Sequence, residues 1–112
     1  MLNKPEKMRI EIREKMRGGS GHAKLIHLAE GVPNMRLCAL IELEQGCSIG
    51  EHEHHNESEV YYIISGSALV TDCDRQYYVH PGDMAITLDN EYHSITNPFE
   101  EKLVMLAAVI HN

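Results

Sequence analysis

Three histidines fall within four positions at His52-Glu53-His54-His55, in a chain that carries eight in 112 residues. Imidazole titrates near neutral pH and is the commonest nitrogen ligand of metal ions, so a cluster this dense marks where chemistry should be sought. On an extended backbone, side chains two apart share a face: His52 and His54 point one way, and Glu51, Glu53 and His55 point the other. Two imidazoles on one strand face form a ready metal chelate. The polar stretch His55-Asn56-Glu57-Ser58 permits a bend, after which a carboxylate can return to the same point. Glu57 and Glu59 compete for that role, and Glu59 is preferred because it begins an apolar run. From Glu59 the same parity carries Tyr61 and Ile63 inward and Val60, Tyr62 and Ile64 outward. The Tyr61 phenol would then either donate to a bound ligand or fill core.

The elements that must position these residues are short. Gly, Pro, Asn and Asp punctuate the chain at close intervals, as at Gly31-Val32-Pro33-Asn34, Pro81-Gly82-Asp83 and Asn97-Pro98. Between the marks lie runs rich in β-branched, aromatic and aliphatic residues: 24–29, 35–44, 59–65, 68–72, 76–79, 84–88, 92–96 and 102–110. None is followed by a long helical pattern. Many short strands with turns roughly every 8–12 residues predict an all-β sandwich or small barrel. Near the start, Met8, Ile10 and Ile12 alternate with Arg9, Glu11 and Arg13, which fits a strand, with a short helix over Met8–Met16 as the alternative. Residues 1–22 are expected to form an arm, and residues 23–112 the barrel. Gly46, Gly50, Gly66 and Gly82 fall at expected strand ends, where positive φ suits glycine.

Length allows one hydrophobic core and not two. The apolar fraction of 43% and charged fraction of 24% are those of an ordinary soluble domain. No apolar run approaches the ~20 residues that span a bilayer, and charges occupy the place of a secretory signal's apolar core, so a cytoplasmic protein is expected. Cys38, Cys47 and Cys73 are an odd number without C-x-x-C spacing, which argues against a disulfide framework or a thiolate zinc site. A formal net charge of -7 with scattered basic residues argues against nucleic-acid binding. His22, His55 and His80 are expected at the surface.

From Gly46 the chain reads glycine, five residues, His52, one residue, His54, four residues, Glu59, six residues, Gly66. This resembles the first motif of the cupin superfamily, and the segment from Gly82 through His93 to Asn97 resembles the second. Two turn-shaping positions depart from the pattern: Leu88 stands where the family has proline, and Asn90 where it has glycine. Asn tolerates positive φ, which makes the second change mild. The resemblance implies a double-stranded β-helix (jelly-roll) barrel and assigns His52, His54, Glu59 and His93 as ligands of one divalent transition metal. On its own, His93 would read as a hydrogen-bonded core histidine.

Three imidazoles and one carboxylate suit first-row divalent ions. Manganese or iron(II) is favoured for a catalytic site, while zinc or nickel could occupy it. On a six-coordinate ion, two adjacent positions would remain for water, a bidentate acid or dioxygen. The resemblance implies a metal-dependent enzyme of dioxygenase, decarboxylase or isomerase type acting on a small carboxylate- or carbonyl-bearing molecule. The alternative is a non-catalytic module that binds or senses such a ligand. No general acid or base can be assigned, although Arg36 is a candidate pocket residue if it faces inward. The apolar alternation of the arm and the strand ending at Ile110 lead to an expected homodimer.

Overall fold

The computed structural model describes residues 1–112, and its ten strands form two antiparallel sheets. They are β1 (Ile10–Glu14), β2 (His22–His27), β3 (Met35–Leu43), β4 (Ser48–Glu53), β5 (Glu57–Ser65), β6 (Ala68–Asp72), β7 (Arg75–Val79), β8 (Met84–Thr87), β9 (Tyr92–Thr96) and β10 (Leu103–His111). One sheet runs in the order β1-β2-β3-β10-β5-β8 and the other β4-β9-β6-β7. The all-β expectation holds. The histidine-bearing segment, read from sequence only as extended, is the strand β4, and the two helical pieces are three-residue turns at Pro5–Lys7 and Met16–Gly18.

Alternation places one set of side chains between the sheets. Leu25, Ile41, Leu43, Ile49, Ile63, Ile95, Leu103 and Met105 are almost fully buried there, each contributing about 1.5–3 kcal/mol by leaving water. Neighbouring strands align these residues in rows. One row runs Ala39 opposite Ala107 opposite Tyr61 opposite Ala85, and the next runs Leu37, Val109, Glu59 and Thr87.

The N-terminal segment lies differently from its apolar pattern. Ile10–Glu14 does pair with β2, as a strand and not a helix. However, Ile10 and Ile12 are exposed, while Glu11 and Arg13 turn toward the interior. The interior at this end is a polar cavity, and the charged face is the one that suits it.

Two β-bulges set the site. Ile49 pairs with Ile95 and His52 with His93, so β4 spends three steps where β9 spends two. The extra residue lies at Gly50–Glu51 and resets the parity: Ile49 can enter the core, and His52 still reaches the same interior. On β3, Val109 pairs with Leu37 and Ile110 with Met35, which leaves Arg36 as the bulged residue. Gly50 lies within β4 without positive φ. Its hydrogen serves close approach instead, since a Cβ there would overlap the Arg17 carbonyl and lie 2.9 Å from the Gly19 nitrogen.

Candidate metal centre

His52 and His54 come from β4 and the residue after its end, Glu59 from β5 and His93 from β9. Their donor atoms all lie within 4.8 Å of one another. The Nε2 of His93 is 3.0 Å from the Nε2 of His52 and from that of His54. Glu59 Oε1 is 3.0 Å from the Nε2 of His54 and of His93, and 3.7 Å from that of His52.

The far side of each ring decides what these contacts are. His52 Nδ1 lies 2.8 Å from the Gly50 carbonyl oxygen, and His54 Nδ1 lies 2.6 Å from Glu57 Oε2. Both partners can only accept, so both Nδ1 atoms carry a proton, and each ring in its neutral form presents its Nε2 lone pair to the centre. His93 Nδ1 is 2.7 Å from the Thr87 hydroxyl. Glu59 Oε1 is buried and finds no hydrogen-bond donor. Four electron-rich atoms therefore face one point with no proton to hold them together, and a cation fits there. Donors about 2.1 Å from a shared ion and at right angles to one another lie about 3.0 Å apart, as most of these do. The residues present fit a divalent metal.

Burial raises the Glu59 carboxyl, and only positive charge on the surrounding imidazoles would outweigh it and hold the group well below the usual carboxylate range; with the rings neutral, a cation at the shared point supplies that charge. Burial lowers His93 and favours its neutral ring. Tyr61 is buried with its ring stacked on His93, at a centroid distance of 5.1 Å and an interplanar angle of 16°. Burial and then the Glu59 charge keep its phenol protonated, well above its ordinary value.

Glu57, the rival ligand, shares inward parity with Glu59 but lies behind His54. Arg36 grips it in a two-pronged pair, Nε to Oε1 at 2.9 Å and Nη2 to Oε2 at 2.6 Å. The bulge thus lets a residue of outward parity reach Glu57. The Arg36 hydrogen bond, followed by that of His54, holds the Glu57 carboxyl down at about 2 against the opposing effect of burial.

The loop before His93 is well formed despite its two departures. Asn90 adopts φ 66° and donates its N–H to the His54 carbonyl. The Leu88 N–H donates to the Glu91 carboxylate, a bond proline could not make. Asn97 is fully buried, donating to the Leu43 and Glu101 carbonyls and accepting from the Phe99 N–H. His55 and His80 lie at the surface as expected, while His22 is half-buried at the start of β2.

Three of the four candidate ligands, His52, His54 and Glu59, line a cavity of about 210 Å³. The sequence reading missed much of its wall: Arg9, Arg13 and Arg17 from the N-terminal segment, and His27 of β2. His27 is buried and its Nε2 lies 2.8 Å from Glu11 Oε1. The charged face of the Arg9-Glu11-Arg13 alternation was the available signal.

With fold and site in view, the family follows. The sequence profile of the cupin domain matches residues 39–109, and this chain belongs to the cupin family. A Thermotoga maritima protein named as oxalate-binding is 38% identical over 98 residues, covering 85% of this chain and 81% of the relative. The crystal structure of a predicted oxalate decarboxylase from Thermotoga maritima superposes with a TM-score of 0.94 at 32% identity, covering all of both chains. A protein from Acidithiobacillus ferrooxidans, provisionally named a sugar phosphate isomerase, gives a TM-score of 0.83 at 28% identity, covering 99% of this chain and 75% of the other. The two sheets are thus the jelly roll of the cupins. No helix is long and apolar enough to cross a membrane.

Proposed function

We propose that His52, His54, Glu59 and His93 hold one divalent transition metal, with manganese or iron(II) favoured, and that a small carboxylate- or carbonyl-bearing acid chelates it. The observation that carries this reading is the convergence of three imidazole nitrogens and the donorless Glu59 oxygen on one buried point. When bound, the metal would supply a Lewis acid that polarises the acid's oxygens. The chain supplies the rest. Gly50, Glu57 and Thr87 fix the three rings, Arg36 fixes Glu57, and Tyr61 with the cavity wall shapes the space for the ligand. The cavity is smaller than the roughly 300–1,000 Å³ of sites for drug-sized ligands, which suits an acid of a few carbons.

The leading reading is an enzyme of dioxygenase, decarboxylase or isomerase type in the cytoplasm, working as a homodimer with residues 1–22 as an arm beside the barrel. The oxalate-binding name of the Thermotoga maritima relative favours the second reading, a module that binds such an acid without turnover. Oxalate titrated calorimetrically into manganese-loaded chain should bind, and binding should fall at least tenfold in Glu59→Ala and His93→Ala. Unchanged binding in both variants places the ligand elsewhere. Gas exchange with iron or manganese restored separates the two readings: an enzyme consumes dioxygen or releases carbon dioxide from some such acid, and a module does neither.

A further inference from the structure

The cavity that His52, His54 and Glu59 line is also walled by four arginines, Arg9, Arg13, Arg17 and Arg36, and they are not equivalent. Arg9 is paired with Glu30 and Glu11, Arg13 with Glu11, and Arg36 with Glu57. Arg17 makes no ion pair and no side-chain hydrogen bond, yet it lines the same cavity as His52, His54, Glu59 and Tyr61. A guanidinium carries five donors in a planar fork that matches carboxylate and phosphate, so this one is available to a ligand.

The chain holds Arg17 in place with unusual backbone. Its φ of 55° and ψ of 30° lie in the left-handed region, as does Lys15 at φ 48°. Residues with side chains rarely sit there, and glycine, the usual occupant, follows immediately at Gly18. The segment is then pinned to β4 just ahead of His52. Ser20 and Ser48, the first residue of β4, exchange two hydrogen bonds, the Ser20 N–H to the Ser48 hydroxyl at 2.8 Å and the Ser48 N–H to the Ser20 carbonyl at 2.9 Å. Gly19 and Gly50 let the two backbones meet where a Cβ on either would collide.

We propose that Arg17 is a specificity-determining residue that receives the second anionic group of an acid whose other end chelates the metal. The substrate class is then an acid with two anionic ends, set further apart than those of oxalate, the second end being a carboxylate or a phosphate. The proposal rests on the metal-site reading, because it is that site which anchors the first end.

The test uses three 2-oxo acids that share one chelating end: pyruvate with no second anion, 2-oxoglutarate with a carboxylate, and phosphonopyruvate with a phosphonate. Manganese content of the full chain is measured first, and each acid is then titrated by calorimetry. At least one of the two dianions should bind tenfold or more tighter than pyruvate, and the tighter of them identifies the second group. In Arg17→Gln the advantage should shrink below threefold, with manganese content and pyruvate affinity unchanged, and Arg17→Lys should keep part of it. No advantage in the wild-type chain, or no binding of any of the acids, overturns the proposal whatever the variants do. So does an advantage that survives Arg17→Gln. If the chain takes up no manganese, the metal reading fails and this proposal with it, whereas a manganese-loaded chain that shows no dianion advantage overturns the Arg17 reading alone.

Discussion

Replacing Glu57 by Gln should weaken the metal site without emptying it. The carboxylate holds His54 Nδ1 at 2.6 Å and is itself held by Arg36, so it fixes both the tautomer and the aim of a ring whose Nε2 faces the centre. Gln keeps the shape but loses the charge, and its amide nitrogen has no use for the Arg36 fork. Partners of this kind are worth about 10–100-fold in metal affinity, or about 1.4–2.7 kcal/mol, in line with about 1.5–3 kcal/mol for a hydrogen bond to a charged group. Competition between the chain and a chromophoric zinc chelator, run beside His54→Ala, measures the effect. A Glu57→Gln affinity within twofold of wild type would show that Glu57 does not position His54. A loss as complete as that of His54→Ala would make Glu57 a ligand, and the assignment to Glu59 would need revision.

Three further outcomes are expected. The Glu11 carboxyl, held from 4.5 down to about 2 by Arg13 and then His27 against desolvation, stabilises the fold above about pH 4.5 and ceases to as pH falls toward 2. Its side chain is 30% exposed and Arg13 39%, which screens the effect to about 1 kcal/mol, so the urea-midpoint gap between wild type and Glu11→Gln should close across that window. A gap that is the same at pH 7 and pH 2.5 would contradict this. Gly50→Ala should overlap the Arg17 carbonyl and lower the melting temperature by roughly 5–15 °C; an unchanged value would mean that the 17–19 segment does not press on β4. Light scattering at micromolar concentration should give twice the 12.7 kDa monomer mass, returning to the monomer in Ile10→Glu/Ile12→Glu, since both isoleucines are exposed on an edge strand. A monomeric wild-type chain contradicts it.

The sequence carried the ligand spacing because strand parity and motif distances are local properties of the chain: His52, His54 and Glu59 meet as their intervals implied, and His93 joins them. Other features depended on tertiary structure. Parity could not separate Glu57 from Glu59, since both point inward, and only the register against β10 and β8 sets one behind His54 and the other at the centre. Alternation in residues 8–13 revealed two faces but not which one turns in; the polar cavity chose the charged one. Bulges were invisible because they are pairing events between distant strands, so neither the reach of Arg36 nor the entry of both Ile49 and His52 into the interior was legible. Gly50 was read as a turn glycine, yet its role is to let a segment some thirty residues earlier approach, and no local pattern encodes that contact.

The central claim is that one divalent metal sits among His52, His54, Glu59 and His93. Diffraction data collected from crystals of manganese-reconstituted protein, at a wavelength where manganese scatters anomalously, test it most directly. A single strong anomalous peak is expected, within about 2.3 Å of the three Nε2 atoms and a Glu59 oxygen, and absent from crystals of His93→Ala. A peak elsewhere, or none at this point in fully reconstituted protein, would contradict the account.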